Sequence, residues 1–130
     1  MPIVKQLTLL LENKPGALSN ICSDLASKDI NILALSVLDT IDSGLVRIVV
    51  DDHENAVKVL SATGLNVILT DVLSLEMLHK PGTMAGITRQ LSKAKINIEY
   101  AYGSVPTGDG SSIGIFWVSN LKKAVEILEA

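Results

Sequence analysis

Nineteen residues of this chain occur twice. Lys14 to Ile32 reads KPGALSNICSDLASKDINI and Lys80 to Ile98 reads KPGTMAGITRQLSKAKINI; at a shift of 66 residues, eight of the nineteen positions are identical. The identities fall on Lys-Pro-Gly, on one Ile and one Leu, and on the closing Ile-Asn-Ile, so they mark punctuation and core positions. Self-similarity at a fixed period means that one small supersecondary unit is made twice. In 130 residues each copy has about 65, a size at which a lone domain is marginal. Association between units, or between copies of the chain, is therefore expected.

Periodicity supplies the elements of that unit. Ile3 to Leu11 is apolar and partly β-branched, as a buried strand requires. After Lys14-Pro15-Gly16, the residues Leu18, Ile21 and Leu25 recur at helical spacing over about Gly16 to Lys28. Ile30 to Leu38 and Leu45 to Val50 read as strands joined by a hairpin over Asp39 to Gly44. Asp51 is placed to cap the next helix with Glu54 behind it; Ala56, Val57 and Leu60 form its apolar face, and Leu65 to Leu69 closes the unit as a fourth strand. The order is βαββαβ. The second copy runs through Leu73 to Leu78, a helix over Gly82 to Ala94, Ile96 to Gly103, Ile113 to Val118, and a last helix capped by Asn120. No fourth strand follows, so one sheet edge of the second unit must be short, borrowed or covered. A two-layer α+β arrangement, with helices on one face of an antiparallel sheet, buries these faces.

The two Lys-Pro-Gly turns sit between the first strand and first helix of each copy. Proline restricts its own φ and the residue before it, and glycine permits a tight turn or a close approach. The helix that follows presents free amides whose positive end suits a carboxylate. Two readings stay open: a helix-starting turn duplicated along with its domain, or a seat for a small molecule carrying a carboxylate. Neither turn has the glycine spacing or the Gly-Lys-Ser/Thr of a phosphate-binding loop.

The pattern strand, Lys-Pro-Gly-Ala-Leu, helix, Ile-Asn-Ile, strand resembles the ACT domain family, small regulatory modules attached to many enzymes of amino-acid metabolism. The resemblance covers nearly the whole chain as two tandem ferredoxin-like units, residues 1–69 and 70–130. Glu12-Asn13-Lys14-Pro15-Gly16-Ala17-Leu18 is similar to the opening of the acetolactate synthase regulatory subunit. Lys80-Pro81-Gly82 with Ile96-Asn97-Ile98-Glu99-Tyr100-Ala101-Tyr102 is similar to tandem ACT proteins that bind amino acids. The resemblance implies that ligands lie where one unit's first turn meets a neighbouring unit. Asn13, Gly16, Ala17 and Leu18 then line one site and His79, Gly82, Thr83 and Met84 the other, with Asn31 and Asn97 near the interface. The missing last strand departs from the family pattern and leaves the polar hairpin at Gly108 to Ser112 without a role.

Other chemistries find little support. Asp39, Asp42, Asp51 and Asp52 have no His or Cys partner at ligand spacing, so no metal is expected. Cys22 has no activating neighbour, and one cysteine excludes an intrachain disulfide. A net charge of -3 with scattered lysines argues against nucleic acid. No run approaches the roughly 20 apolar residues of a membrane span, and Met1 to Lys5 lacks signal-peptide organisation, so a cytoplasmic protein is expected. Tyr100 and Tyr102 share one strand face and are expected to pack against the helices, the alternative being a wall at an interface between units, while one of Phe116 and Trp117 must face away from the helices.

The expected function is that of an amino-acid-binding regulatory or sensor protein, a homodimer without catalytic activity or cofactor, acting with a metabolic enzyme. The alternatives are a regulatory subunit of an acetolactate-synthase-like enzyme and a structural dimerisation module without ligand.

Overall fold

A computed structural model describes residues 3–12, 14–39, 43–78, 80–104 and 111–129. In chain order the elements are β1 (Ile3–Glu12), α1 (Ala17–Ala26), β2 (Ile32–Asp39), β3 (Ser43–Val50), α2 (His53–Ala62), β4 (Ile68–Leu78), α3 (Thr83–Lys93), β5 (Ile98–Gly103), β6 (Ser111–Val118) and α4 (Leu121–Glu129). The fold is α+β, with antiparallel strands and helices that follow the βαββαβ order twice. Contacts divide the chain into Lys5–Thr70 and a second unit, Asp71–Ala130, which also takes in Ile3 and Val4.

In the first unit the strand order is β2-β3-β1. Leu7 pairs with Ile48 and Leu9 with Val46, so these alternate residues share one sheet face. That face is closed by Ile21 and Leu25 of α1 and by Ala56 and Leu60 of α2, forming one buried cluster. In the second unit the order is β4-β6-β5. Leu73 opposite Phe116 and Ile98 opposite Val118 face Leu91 of α3 and Ala124 of α4. Ile3 and Val4 group with this unit.

Three local expectations are corrected. The strands expected at Leu65 to Leu69 and Leu73 to Leu78 are one continuous strand, Ile68–Leu78. Thr70-Asp71-Val72 contains no Gly or Pro, and two of the three are β-branched, so nothing interrupts the extended backbone. The helix cap is Asp52, not Asp51: its carboxylate accepts from the Asn55 amide at 3.2 Å and from the Asn55 side chain at 2.8 Å. Asp51 instead clamps the start of β2, accepting from the Asn31 amide at 3.0 Å while its own N–H donates to the Asn31 carbonyl at 3.1 Å. Ser119 and Asn97 repeat this reciprocal pair, with both bonds at 2.9 Å. Thirdly, the tyrosines do not pack on the helices. Ala101 is opposite Phe116, which is buried on the helix side, whereas Tyr100 and Tyr102 lie on the other face with Trp117. There the Tyr100 ring stands 5.3 Å from Trp117 and 6.5 Å from Tyr102.

The cap assignment can be checked. Asp52→Ala should lower stability by about 1 kcal/mol, the ordinary worth of an N-cap side chain. Glu54→Ala, which removes only an exposed first-turn charge, should cost a few tenths at most. Midpoints of urea denaturation measure both.

Candidate functional site

The two Lys-Pro-Gly turns have the same backbone. Gly16 has φ 91 and ψ -17, and Gly82 has φ 93 and ψ -17. Each is the residue before its helix, in the left-handed region that only glycine enters without steric cost. The carbonyl of residue 16 accepts from Asn20 and that of residue 82 from Gly86, both at 2.9 Å, so the helices begin directly at the turn.

The helix starts are of two kinds. Asp52 caps α2 and Asn120 caps α4, the latter accepting from the Lys123 amide at 3.1 Å. No side chain caps α1 or α3. Their far ends, by contrast, are closed: Asp29 and Lys95 sit at φ 58 and 59, and the Ile30 and Ile96 amides donate back to Leu25 and Leu91 at 3.0 and 2.9 Å. The first-turn amides of α1 and α3 thus remain the uncapped helix starts among the described residues, and both stand at the turns.

Cavities adjoin both turns. In the first unit, a cavity of ≈ 650 Å³ is lined by Glu12, Lys14, Ala17, Asn20, Asp24 and Thr63, among others. The Lys14 ammonium is 3.0 Å from the Glu12 carboxylate, an exposed ion pair. In the second unit, a groove of ≈ 470 Å³ runs along α3 past Gly82, Thr83, Gly86, Arg89, Gln90 and Lys93. A smaller cavity of ≈ 130 Å³ lies by Met77, Lys80, Thr83 and Met84. Thr83 borders both, and its hydroxyl oxygen is buried without a hydrogen-bond partner. Among the described residues, no three His, Cys, Asp or Glu side chains gather as a metal site requires.

A family model described as an ACT domain pair matches residues 2–130. The chain belongs to the ACT domain pair family. ACT domains are regulatory modules, and no catalytic family is indicated. Protein BT0572 from Bacteroides thetaiotaomicron is 32% identical, with a TM-score of 0.90 over 98% of this chain and 88% of that one. The regulatory subunit of aspartate kinase from Thermus thermophilus, in its ligand-free form, has a TM-score of 0.70 at 16% identity, covering 99% of this chain and 96% of that one. Its counterpart from Thermus flavus gives 0.66 at 16% identity, over 99% and 95% of the two chains; at this identity the likeness concerns the fold. A search among curated proteins found no match. None of the helices among the described residues is long and apolar enough to cross a membrane.

Within the ACT pair, the residues named from sequence fall into separate places. Ala17 lines the first cavity, Gly82 and Thr83 the second groove, and Met84 the small cavity. Gly16 forms its turn without lining the first cavity, and Leu18 packs against the core of its unit. Asn31 and Asn97 lie beyond the other ends of α1 and α3, bonded to Asp51 and Ser119. A ten-residue helix rises about 15 Å, so neither asparagine meets its own unit's turn. Asn13 and His79 lie outside the described residues, as do Gly108, Asp109 and Gly110 of the polar hairpin. Sequence reasoning missed Asn20, Asp24, Arg89 and Lys93, although each follows its turn glycine at the spacing of one helix face. Thr63 had no such signal, because only the folding of α2 beside α1 brings it to the cavity.

Proposed function

We propose that this ACT pair is an amino-acid-binding regulatory protein whose ligands sit at the two Lys-Pro-Gly turns, each held against a neighbouring unit as the family resemblance implies. The observation that supports this reading is the unequal treatment of helix starts. The chain caps α2 and α4 with side chains and leaves α1 and α3 uncapped beside cavities of amino-acid size. Main-chain N–H donors at a helix start suit an α-carboxylate, and in the first unit Asp24 lines the cavity for an ammonium. Asn13, Gly16, Ala17 and Leu18 at one turn, and His79, Gly82, Thr83 and Met84 at the other, are the contacts proposed, with Asn31 and Asn97 offered by a neighbour.

The protein works as a homodimer and acts on a metabolic enzyme. Edge strand β2 favours self-association: Leu35, Val37 and Leu38 are 37%, 53% and 51% exposed on it, and its only charged residue is Asp39 at the end. A strand of this kind pairs antiparallel with its own copy about a two-fold axis. A thermal-shift screen against all twenty amino acids tests the ligand. A ligand at one hundred times its Kd should add about 2.7 kcal/mol of stability, an unmistakable shift. Absence of any shift at 10 mM (on the order of a hundred times a sub-millimolar Kd) would reduce the pair to an association module.

A further inference from the structure

We infer that the groove of the second unit takes an anionic ligand, an amino acid with a second carboxylate, whereas the first cavity does not; this rests on the amino-acid-binding reading above. At the 66-residue shift, four charge differences between the two turn sites run in one electrostatic direction, and one, Leu10 to Glu76, runs against them without Glu76 lining the second groove. Glu12 and Asp24 line the first cavity, and their counterparts are the uncharged Leu78 and Gln90. Ser23 and Ser27 of the first copy correspond to Arg89 and Lys93, which line the second groove. The first lining therefore carries Glu12, Lys14 and Asp24, with a net charge of -1. The second carries Arg89 and Lys93, a net charge of +2, with no carboxylate, in a chain whose overall charge is -3.

The lysines of the turns differ in the same sense. Lys14 is tied to Glu12, and Lys80 has an apolar leucine where that partner would be. Two further differences open and equip the second groove. Gly86 stands where α1 has Asn20, and a Cβ built there meets nothing within 4 Å. Thr83 stands where α1 has Ala17, and its buried hydroxyl has no partner in the protein. The cations on α3, the vacant groove floor and the orphaned hydroxyl are three independent features that converge on one wall. Arg89 offers a planar fork that matches a carboxylate, and Lys93 lies one helical turn on, at i+4.

Calorimetric titration of the whole chain at low ionic strength tests this, with L-aspartate, L-glutamate, their amides L-asparagine and L-glutamine, and inorganic phosphate as probes. The acidic amino acid is expected to bind about tenfold more tightly than its amide, as two partly solvated cations allow. Arg89→Gln with Lys93→Gln should abolish that preference. Lys58→Gln with Lys122→Gln, which removes the same charge from exposed positions on other helices, should retain it. Equal affinity for acid and amide, or a preference that survives loss of both α3 cations, overturns the inference and leaves the amino-acid reading intact. Phosphate binding that depends on Arg89 and Lys93, without binding of any of the four amino acids, keeps an anion groove and overturns the acidic amino acid as its ligand. Binding of no probe overturns the anion groove and leaves the amino-acid reading to the screen of all twenty amino acids. Circular dichroism confirms the fold of each variant, whose substituted side chains are exposed.

Discussion

Lysine in place of both Leu35 and Val37 should halve the mass of the protein in solution, from dimer to monomer, without unfolding it. Both side chains are already substantially exposed on β2, so the substitutions remove no core packing. They place two like charges on an edge that, in a two-fold antiparallel pair, meets its own copy, so four ammonium groups gather at one seam. Like charges facing each other across paired strands are destabilising, and lysine on an edge is a common natural device against such pairing. Sedimentation equilibrium across a concentration series measures the outcome. A wild-type chain that is monomeric at all concentrations, or a double variant that remains dimeric, would remove β2 as the seam.

Valine at Gly16 or Gly82 should destabilise the protein by about 1–2 kcal/mol each, since a β-branched side chain is forced into the left-handed region. For a unit of this size that corresponds to a fall in Tm of roughly 4–16 °C. The cause is purely local: a Cβ at either glycine meets no other atom within 4 Å, so crowding does not contribute. With φ of 91 and 93, part of any ligand binding lost in these variants would come from a strained or shifted turn. Asparagine, which tolerates positive φ better, should cost clearly less than valine at the same sites. Equal melting temperatures for the glycine, asparagine and valine forms would show that these turns are not held in the left-handed conformation.

The duplication was legible because its signals are short-range. A proline and glycine at a helix start, apolar residues at helical spacing, and β-branched runs each act within a few residues, and eight identities in nineteen made the copies recognisable. Asn120 was readable as a cap for the same reason. Where two adjacent residues had equal chemistry, local reasoning failed. Asp51 and Asp52 are both able to cap, and the choice between them depends on Asn31, twenty residues away, whose backbone takes Asp51 for itself.

The candidate site divides along the same line. The helix-face series Gly82, Gly86, Arg89, Lys93 is a matter of 3.6-residue periodicity and lies open in the sequence. Thr63 and the orphaned Thr83 hydroxyl do not, since a cavity wall and an unmet hydrogen bond exist only once distant segments are packed. The tyrosines show the limit most plainly: strand alternation placed Tyr100 and Tyr102 on a common face, but which face receives the helices depends on the register with Phe116 and Trp117. Sequence by itself thus determined the repeat, the order of elements and the turns, all products of local sterics and periodicity. Tertiary structure alone decided the partners of the paired aspartates and the walls of the cavities, because these follow from contacts between residues far apart in the chain.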